Sequence, residues 1–477
     1  MLFDTPIFFA FLVLVLLVYW RLSWRRQNVM LLVASYFFYG WWDWRFLSLI
    51  MISTVVDYHC AKYIARSEEP WRRRTLLTIS LALNLTFLGF FKYFNFFEDS
   101  LVQVLHTMGI HYVPFLVLRI ILPPGISFYT FQEIAYIVDV YNRKLKASER
   151  LVDYALFIAL FPHLIAGPIQ RPSHLLPQVQ KPRVYDSEKF FSGMMLILTG
   201  LFRKCVVADN CGLIANAAFG GKFGEPGLAV LALGTYAFAW QIYGDFSGYS
   251  DIARGTAQLM GFHFMVNFRQ PYLARSLQEF WRRWHISLST WLRDYLYIGL
   301  GGNRHGEAQT YRNLMATMLL GGLWHGANWV FVIWGGIHGV GLAAERFFQN
   351  LTGHEKKEMP AQQSLFSPRA WVSRVICFHL VCLSWIFFRA QSVSDAFRYL
   401  GGFGRVGWRP EFWAAFQFLA MYSIPLFLLD LLLEYRYEEY PFEKAAPAYR
   451  LCYAASLLVL VTLFSANDVN AFIYFQF

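Results

Sequence analysis

Apolar runs close to the roughly 20 residues that a bilayer requires recur along this chain, separated by short polar segments. The pattern predicts helical spans at about 5–20, 28–42, 46–64 and 75–97, and again at about 190–216, 227–244, 311–325, 327–348, 371–389, 411–434 and 449–466. In hydrocarbon every backbone N–H and C=O must be satisfied within the protein, so such runs read as α-helices. Two stretches in the first half of the chain depart from the pattern. Residues 119–141 contain Pro123-Pro124-Gly125 and then Gln132, Glu133 and Asp139. They are too polar to face lipid and are expected as a re-entrant or cavity-lining segment. The run 151–172 ends in Phe161-Pro162-His163-Leu164-Ile165-Ala166-Gly167-Pro168-Ile169-Gln170-Arg171-Pro172, whose prolines stop the helix near an interface. The expected fold is an all-α integral membrane protein with roughly ten to twelve spanning or re-entrant helices. No linker rich in Gly, Pro or Ser and no internal repeat divides it, so residues 1–477 are expected to form a single domain.

Composition agrees. The chain is 57% hydrophobic and 15% charged, where about 25% charge is usual for soluble proteins. The net charge of +11 sits in short loops: Arg21, Arg25 and Arg26, then Arg66 with Arg72, Arg73 and Arg74, then Arg143, Lys144, Lys146 and Arg150. That distribution sets membrane orientation and does not make a nucleic-acid face. Basic loops at 21–27 and 65–74 flank the nearly neutral aromatic loop 41–45, which puts the amino terminus outside the cytoplasm and Trp41, Trp42 and Trp44 at the outer interface. No basic region precedes the first span and no small-residue cleavage site follows it, so a removable signal peptide is not expected. The most polar stretch, 349–370, with Glu355, Lys356, Lys357 and Glu358, reads as a loop. The six cysteines have no zinc or redox spacing and read as small core residues.

Against this background the most informative residue is His325, in the run Leu319-Leu320-Gly321-Gly322-Leu323-Trp324-His325-Gly326-Ala327-Asn328-Trp329. An ionisable ring among lipid-compatible residues is a functional candidate by default. A low-dielectric site disfavours the charged form of imidazole and leaves a neutral ring whose lone pair can take a proton, as a general base requires. The competing reading is a neutral histidine hydrogen-bonded between helices as packing. A second candidate lies in Phe280-Trp281-Arg282-Arg283-Trp284-His285-Ile286-Ser287-Leu288-Ser289-Thr290-Trp291-Leu292-Arg293-Asp294-Tyr295. On one helix, Trp281, Trp284, His285, Leu288, Leu292 and Tyr295 share a face, so His285 is expected to point into the protein while the basic outer face lies at the lipid surface.

The run Gln241 to Gly255 interrupts a span with Asp245, Asp251 and Arg254 and is expected as a cavity wall or re-entrant turn. Asp251 and Arg254 are spaced to pair across one turn; Asp245 is a site candidate. No histidine pair has the i, i+3 or i, i+4 spacing of metal ligands. His325 and His338, thirteen apart, would lie about 20 Å from each other on a continuous helix. No metal site is expected. Nucleophile elbows, phosphate loops and dinucleotide fingerprints are missing from the sequence.

The run from Tyr272 through Tyr295, the turn Gly299-Leu300-Gly301-Gly302-Asn303-Arg304 and the run Gly321-Gly322-Leu323-Trp324-His325-Gly326-Ala327 resemble the membrane-bound O-acyltransferase family, and within it the bacterial branch of alginate and peptidoglycan O-acetyltransferase membrane subunits. Phe161 to Pro172, Gln241 to Gly255 and Phe472-Ile473-Tyr474-Phe475-Gln476-Phe477 share the resemblance. It implies that His325 is the catalytic histidine and His285 the second active-site histidine, on helices around a central funnel or tunnel in a bacterial inner membrane. It also implies a cytoplasmic acyl thioester, acetyl-coenzyme A or an acyl carrier protein, acting as co-substrate with no bound cofactor. The acceptor would be an extracytoplasmic polysaccharide hydroxyl or a periplasmic acetyltransferase partner. The D-alanyl transferase of teichoic acid synthesis belongs to the same broader group, but the extra spans after residue 390 favour the acetyl branch. Beside the histidines, Trp324, Asp245 and Asn328 are substrate-binding candidates, and Arg293 or Arg304 would hold an anionic donor group or, equally, lipid phosphate. A transporter or flippase would also use polar interruptions at 119–141 and 241–255, and a membrane scaffold would tolerate loss of both histidines.

Overall fold

The computed structural model of the chain describes residues 1–110, 120–225, 227–353, 364–440, 442–466 and 473. The loop residues Glu355, Lys356, Lys357 and Glu358 and, apart from Ile473, the terminal run 472–477 lie outside them. The described residues form helices and no strand. Several predicted spans reappear within a few residues of their expected limits, as Trp24–Asp43, Leu47–Arg66, Trp329–Thr352, Pro368–Arg389 and Pro410–Arg436, whereas 75–97 and 227–244 fall inside the longer stretches Pro70–Thr107 and Leu228–Leu259. Among the described residues, five helical stretches are long and apolar enough to cross a membrane: Pro70–Thr107, Ser187–Phe219, Pro368–Arg389, Pro410–Arg436 and Pro447–Phe464. Burial is inverted relative to a soluble protein. Leu14, Val33 and Leu463 are more than 60% exposed, while Asp57, Glu133 and Lys204 are at most 2% exposed. Apolar side chains outside and ionisable ones inside suit a hydrocarbon solvent.

The chain packs as two compact units, Met1–Gly193 with Thr256–Met265, and Met194–Gly255 with Val266–Phe477. In the first, the segment expected as re-entrant or cavity-lining forms the helix Ile126–Tyr141, entered through Gly125 at φ 76°. Nearly all of its side chains are buried, Gln132, Glu133 and Asp139 among them. Glu133 accepts from Ser53 Oγ at 2.7 Å, and Gln132 Oε1 lies 3.1 Å from His163 Nε2. Asp57 on the neighbouring helix Leu47–Arg66 accepts from Ser80 Oγ at 2.5 Å and Asn84 Nδ2 at 2.8 Å.

In the second unit the polar run Gln241 to Gly255 does not interrupt a span. It lies within one unbroken helix, Leu228–Leu259, 32 residues long. Its charges are accommodated by partners within the helix and on other segments of the chain and not by a re-entrant turn. Arg203 pairs with Asp251 at 2.7 Å and Asp430 at 3.6 Å, and Arg254 with Asp251 at 3.5 Å and with Glu439. Lys204, in the π-helical turn Phe202–Ala208, is 2.8 Å from both Asp209 and Asp245. Around this network lies an apolar core with Trp284, Trp334, Trp385 and Phe388, each at most 1% exposed.

Candidate active site

His325 is the last residue of the helix Glu307–His325, which stops because Gly326 turns extended at φ −160°, ψ 146°. The chain reverses over three residues into Trp329–Thr352. Asn328 caps that second helix, its Oδ1 accepting from Val330 N at 3.1 Å while its Nδ2 donates to the Gln391 carbonyl at 3.2 Å. The two helices touch backbone to backbone. A Cβ on Gly335 would lie 2.2 Å from the Met318 carbonyl oxygen, and one on Gly322 2.2 Å from that of Phe331. This contact fixes where the end of the first helix, and so His325, sits. Gly335→Val should force the helices apart at a cost of about 1–3 kcal/mol, the usual penalty of overpacking, seen as a lower thermal midpoint of the purified protein with loss of turnover. An unchanged midpoint would contradict this placement.

The segment carrying His285 is not the continuous helix its periodicity predicts. Leu277–Arg283 ends at Trp284 in extended conformation, and Ile286–Trp291 begins after His285, which takes φ 44°, ψ 53°. The left-handed region is unfavourable for a side-chain-bearing residue and persists only where neighbours hold it. Here Ile286 N donates to the Asn267 carbonyl at 2.9 Å and Arg269 N to that of Arg283 at 2.9 Å, pinning the break to the segment before it. The expectation that His285 points inward holds: its ring is fully buried, edge-on to Phe246 at 4.6 Å. Ser289, the residue one turn on, donates its hydroxyl to the Trp284 carbonyl at 3.1 Å.

Both histidines lie within the second unit, with ring centres 6.2 Å apart. His325 is 3% exposed. Trp324 touches both rings, at 5.9 Å from His285 and 5.1 Å from His325. Trp334 and Phe388 close the other sides of His325 at 5.0 and 5.5 Å. The result is a buried aromatic box holding two imidazoles from separate segments. Among the described residues, no three His, Cys, Asp or Glu side chains gather as metal ligands would.

The membrane-bound O-acyltransferase family profile matches residues 38–387, which takes in both histidines. The chain belongs to that family. It is similar to a protein named "Probable alginate O-acetylase" of Azotobacter vinelandii, 45% identical over 83% of this chain and 77% of that one. A protein of the same name from Pseudomonas putida is 39% identical over 100% of both chains. A peptidoglycan O-acetyltransferase of Helicobacter pylori is 37% identical over 84% of this chain and 79% of its own. The protein is thus a membrane-bound O-acyltransferase.

The remaining candidates of this acyltransferase are dispersed. Asp245 is tied to Lys204 and accepts from the Ile473 backbone N–H at 2.7 Å, while its neighbour Phe246 faces His285. Arg293 is exposed and pairs with the adjacent Asp294 at 2.7 Å; Arg304 is exposed. Asn328 serves as the helix cap already described. His338 is not remote from His325, since the hairpin puts both against Trp334, at 4.9 and 5.0 Å. Trp334, Phe388 and Asn267 escaped the sequence reading. Nothing local marks them, because each reaches the site from a different part of the chain.

Proposed function

We propose that this chain transfers an acetyl group from a cytoplasmic thioester to a hydroxyl of an extracytoplasmic polysaccharide, or to a periplasmic partner that completes the delivery. The observation that carries this reading is the meeting of His325 and His285, from different segments, in a buried aromatic box. The acceptor hydroxyl oxygen attacks the thioester carbonyl carbon, its proton passes to the His325 ring, and the C–S bond breaks. The thiolate leaves with the proton that the ring returns, so one thioester and one alcohol become one ester and one thiol. General base assistance of this kind is worth about 10²–10⁴ in rate. As the ring gains charge, it does so at a helix C-terminus, where the carbonyl ends favour a cation. His285 has two tasks open to it: orienting the acceptor or stabilising the developing oxyanion.

The acyl group is acetyl and the acceptor a glycan on the strength of the relatives, whose names specify alginate and peptidoglycan acetylation. The basic segments 21–27 and 65–74, which run into the first turns of the helices Trp24–Asp43 and Pro70–Thr107, support a cytoplasmic-membrane topology with the amino terminus outside. In this reading the donor is acetyl-coenzyme A or an acetylated carrier protein. Offering both to the purified protein with a polysaccharide acceptor should release thiol from one of them together with an equal amount of ester. Binding or passage with every thioester left intact would point to a transporter instead.

A further inference from the structure

Three donors converge on one oxygen beside His285. Asn267 Oδ1 lies 3.3 Å from Ser287 N, 2.9 Å from Ser287 Oγ and 3.1 Å from His285 Nδ1. A backbone N–H can only donate, so the Asn267 atom it meets is the amide oxygen. The NH₂ end points the other way and donates to Ser250 Oγ at 3.2 Å. An amide oxygen only accepts, so His285 Nδ1 must carry the proton, and in the neutral ring the lone pair falls to Nε2. Asn267, Ser287 and Ser250 are each at most 1% exposed, which keeps competing water from this network.

His338 shows the opposite arrangement in the same core. Trp281 Nε1, which only donates, meets its Nδ1 at 3.3 Å. The His338 proton is therefore on Nε2, directed at Ser384 Oγ 2.9 Å away, and Ser384 passes its own hydrogen to the Val381 carbonyl at 2.7 Å. Both His338 nitrogens are committed to neighbouring helices, as in a packing histidine. His285 instead commits its Nδ1 proton to Asn267, which places its basic lone pair on Nε2, the reverse of the His338 tautomer.

We propose that Asn267 is a positioning residue of the reaction, locking His285 in the tautomer that presents the Nε2 lone pair to the acceptor. The inference rests on the acyl-transfer reading and sharpens it. A lone pair accepts a hydrogen bond and donates none, so of the two tasks open to His285 its tautomer fits orienting the acceptor and not stabilising an oxyanion. On a sugar, His285 holds a hydroxyl next to the one that His325 deprotonates. Asn267 serves the backbone as well, since its carbonyl holds Ile286 N across the left-handed break at His285.

The tautomer is measured directly by ¹⁵N spectroscopy of histidine-labelled wild-type protein, with the His285 signals assigned by their loss in His285→Gln. The expected spectrum has a protonated Nδ1 and a bare Nε2. A protonated Nε2 would overturn the proposal even if Asn267→Leu fails to fold. In folded Asn267→Leu, kcat should fall about 10²-fold, the scale on which a mis-set tautomer acts, with KM changed far less and both tautomers populated. Asn267→Asp, which keeps an acceptor oxygen, should recover most of that loss. Ser287→Ala, which removes one donor and leaves Nδ1 paired, should lower kcat no more than about threefold. Wild-type kcat in Asn267→Leu would also overturn the proposal. The spectrum is read without turnover, so its outcome is separate from that of the acyl-transfer reading, which fails if His325→Ala remains active.

Discussion

Replacing His325 with alanine should strip the ester-linked acetyl from the cell-surface glycan while leaving the protein in the membrane at its normal level. The ring is the residue of the aromatic box best placed to take a proton at a helix end, and the loss of a general base costs about 10²–10⁴ in rate. Folding should survive, because the box is built from Trp324, Trp334 and Phe388 around His325, and the helix hairpin is held by the glycine contacts and by Asn328. Alanine leaves a cavity, with a penalty of about 2 kcal/mol, the lower end for large-to-small core changes. His325→Gln, closer in volume and without a basic nitrogen, is the better-packed companion and should be equally inactive. Acetyl content is read by mass analysis of released glycan, normalised to immunodetected protein. Retained acetylation in either variant would rule out His325 as the base.

Lys204→Met should cost about 3–5 kcal/mol, the penalty for leaving a buried charge without its partner, which is a large share of the stability of most domains. Lys204 stands 2.8 Å from Asp209 and 2.8 Å from Asp245, and all three side chains are nearly excluded from the surface. Removing the ammonium leaves two carboxylates facing each other inside the second unit. The expected result is little or no folded protein by size-exclusion chromatography of detergent extracts. Adding Asp209→Asn and Asp245→Asn should recover much of the loss, because uncharged amides need no counter-ion. A stable single variant would mean that the network carries little of the fold.

Much of this architecture is legible in the sequence, because hydrocarbon imposes a simple rule on length and polarity. The spans at 411–434 and 449–466 find their counterparts in Pro410–Arg436 and Pro447–Phe464, and the two histidines stand out as ionisable rings among apolar residues. What escaped depends on partners far along the chain. Asp245, Asp251 and Arg254 read as an interruption when set against lipid, yet they sit in an unbroken helix because Lys204, Arg203 and Glu439 come to meet them. The break at His285 is equally invisible to periodicity, which runs smoothly from Trp281 to Tyr295. It is imposed by Asn267, 18 residues earlier, through both its backbone and its side chain.

If two imidazoles brought together in a shielded aromatic box carry out acyl transfer, thiol release per protein molecule follows from their presence. Wild type and His325→Ala, purified in parallel and shown to be equally folded, would be given acetyl-coenzyme A or acetylated carrier protein together with a polysaccharide acceptor. The wild type should release thiol and form ester in equal amounts, and the variant should do neither above background. Thiol release and ester formation by His325→Ala at the wild-type rate would contradict the account.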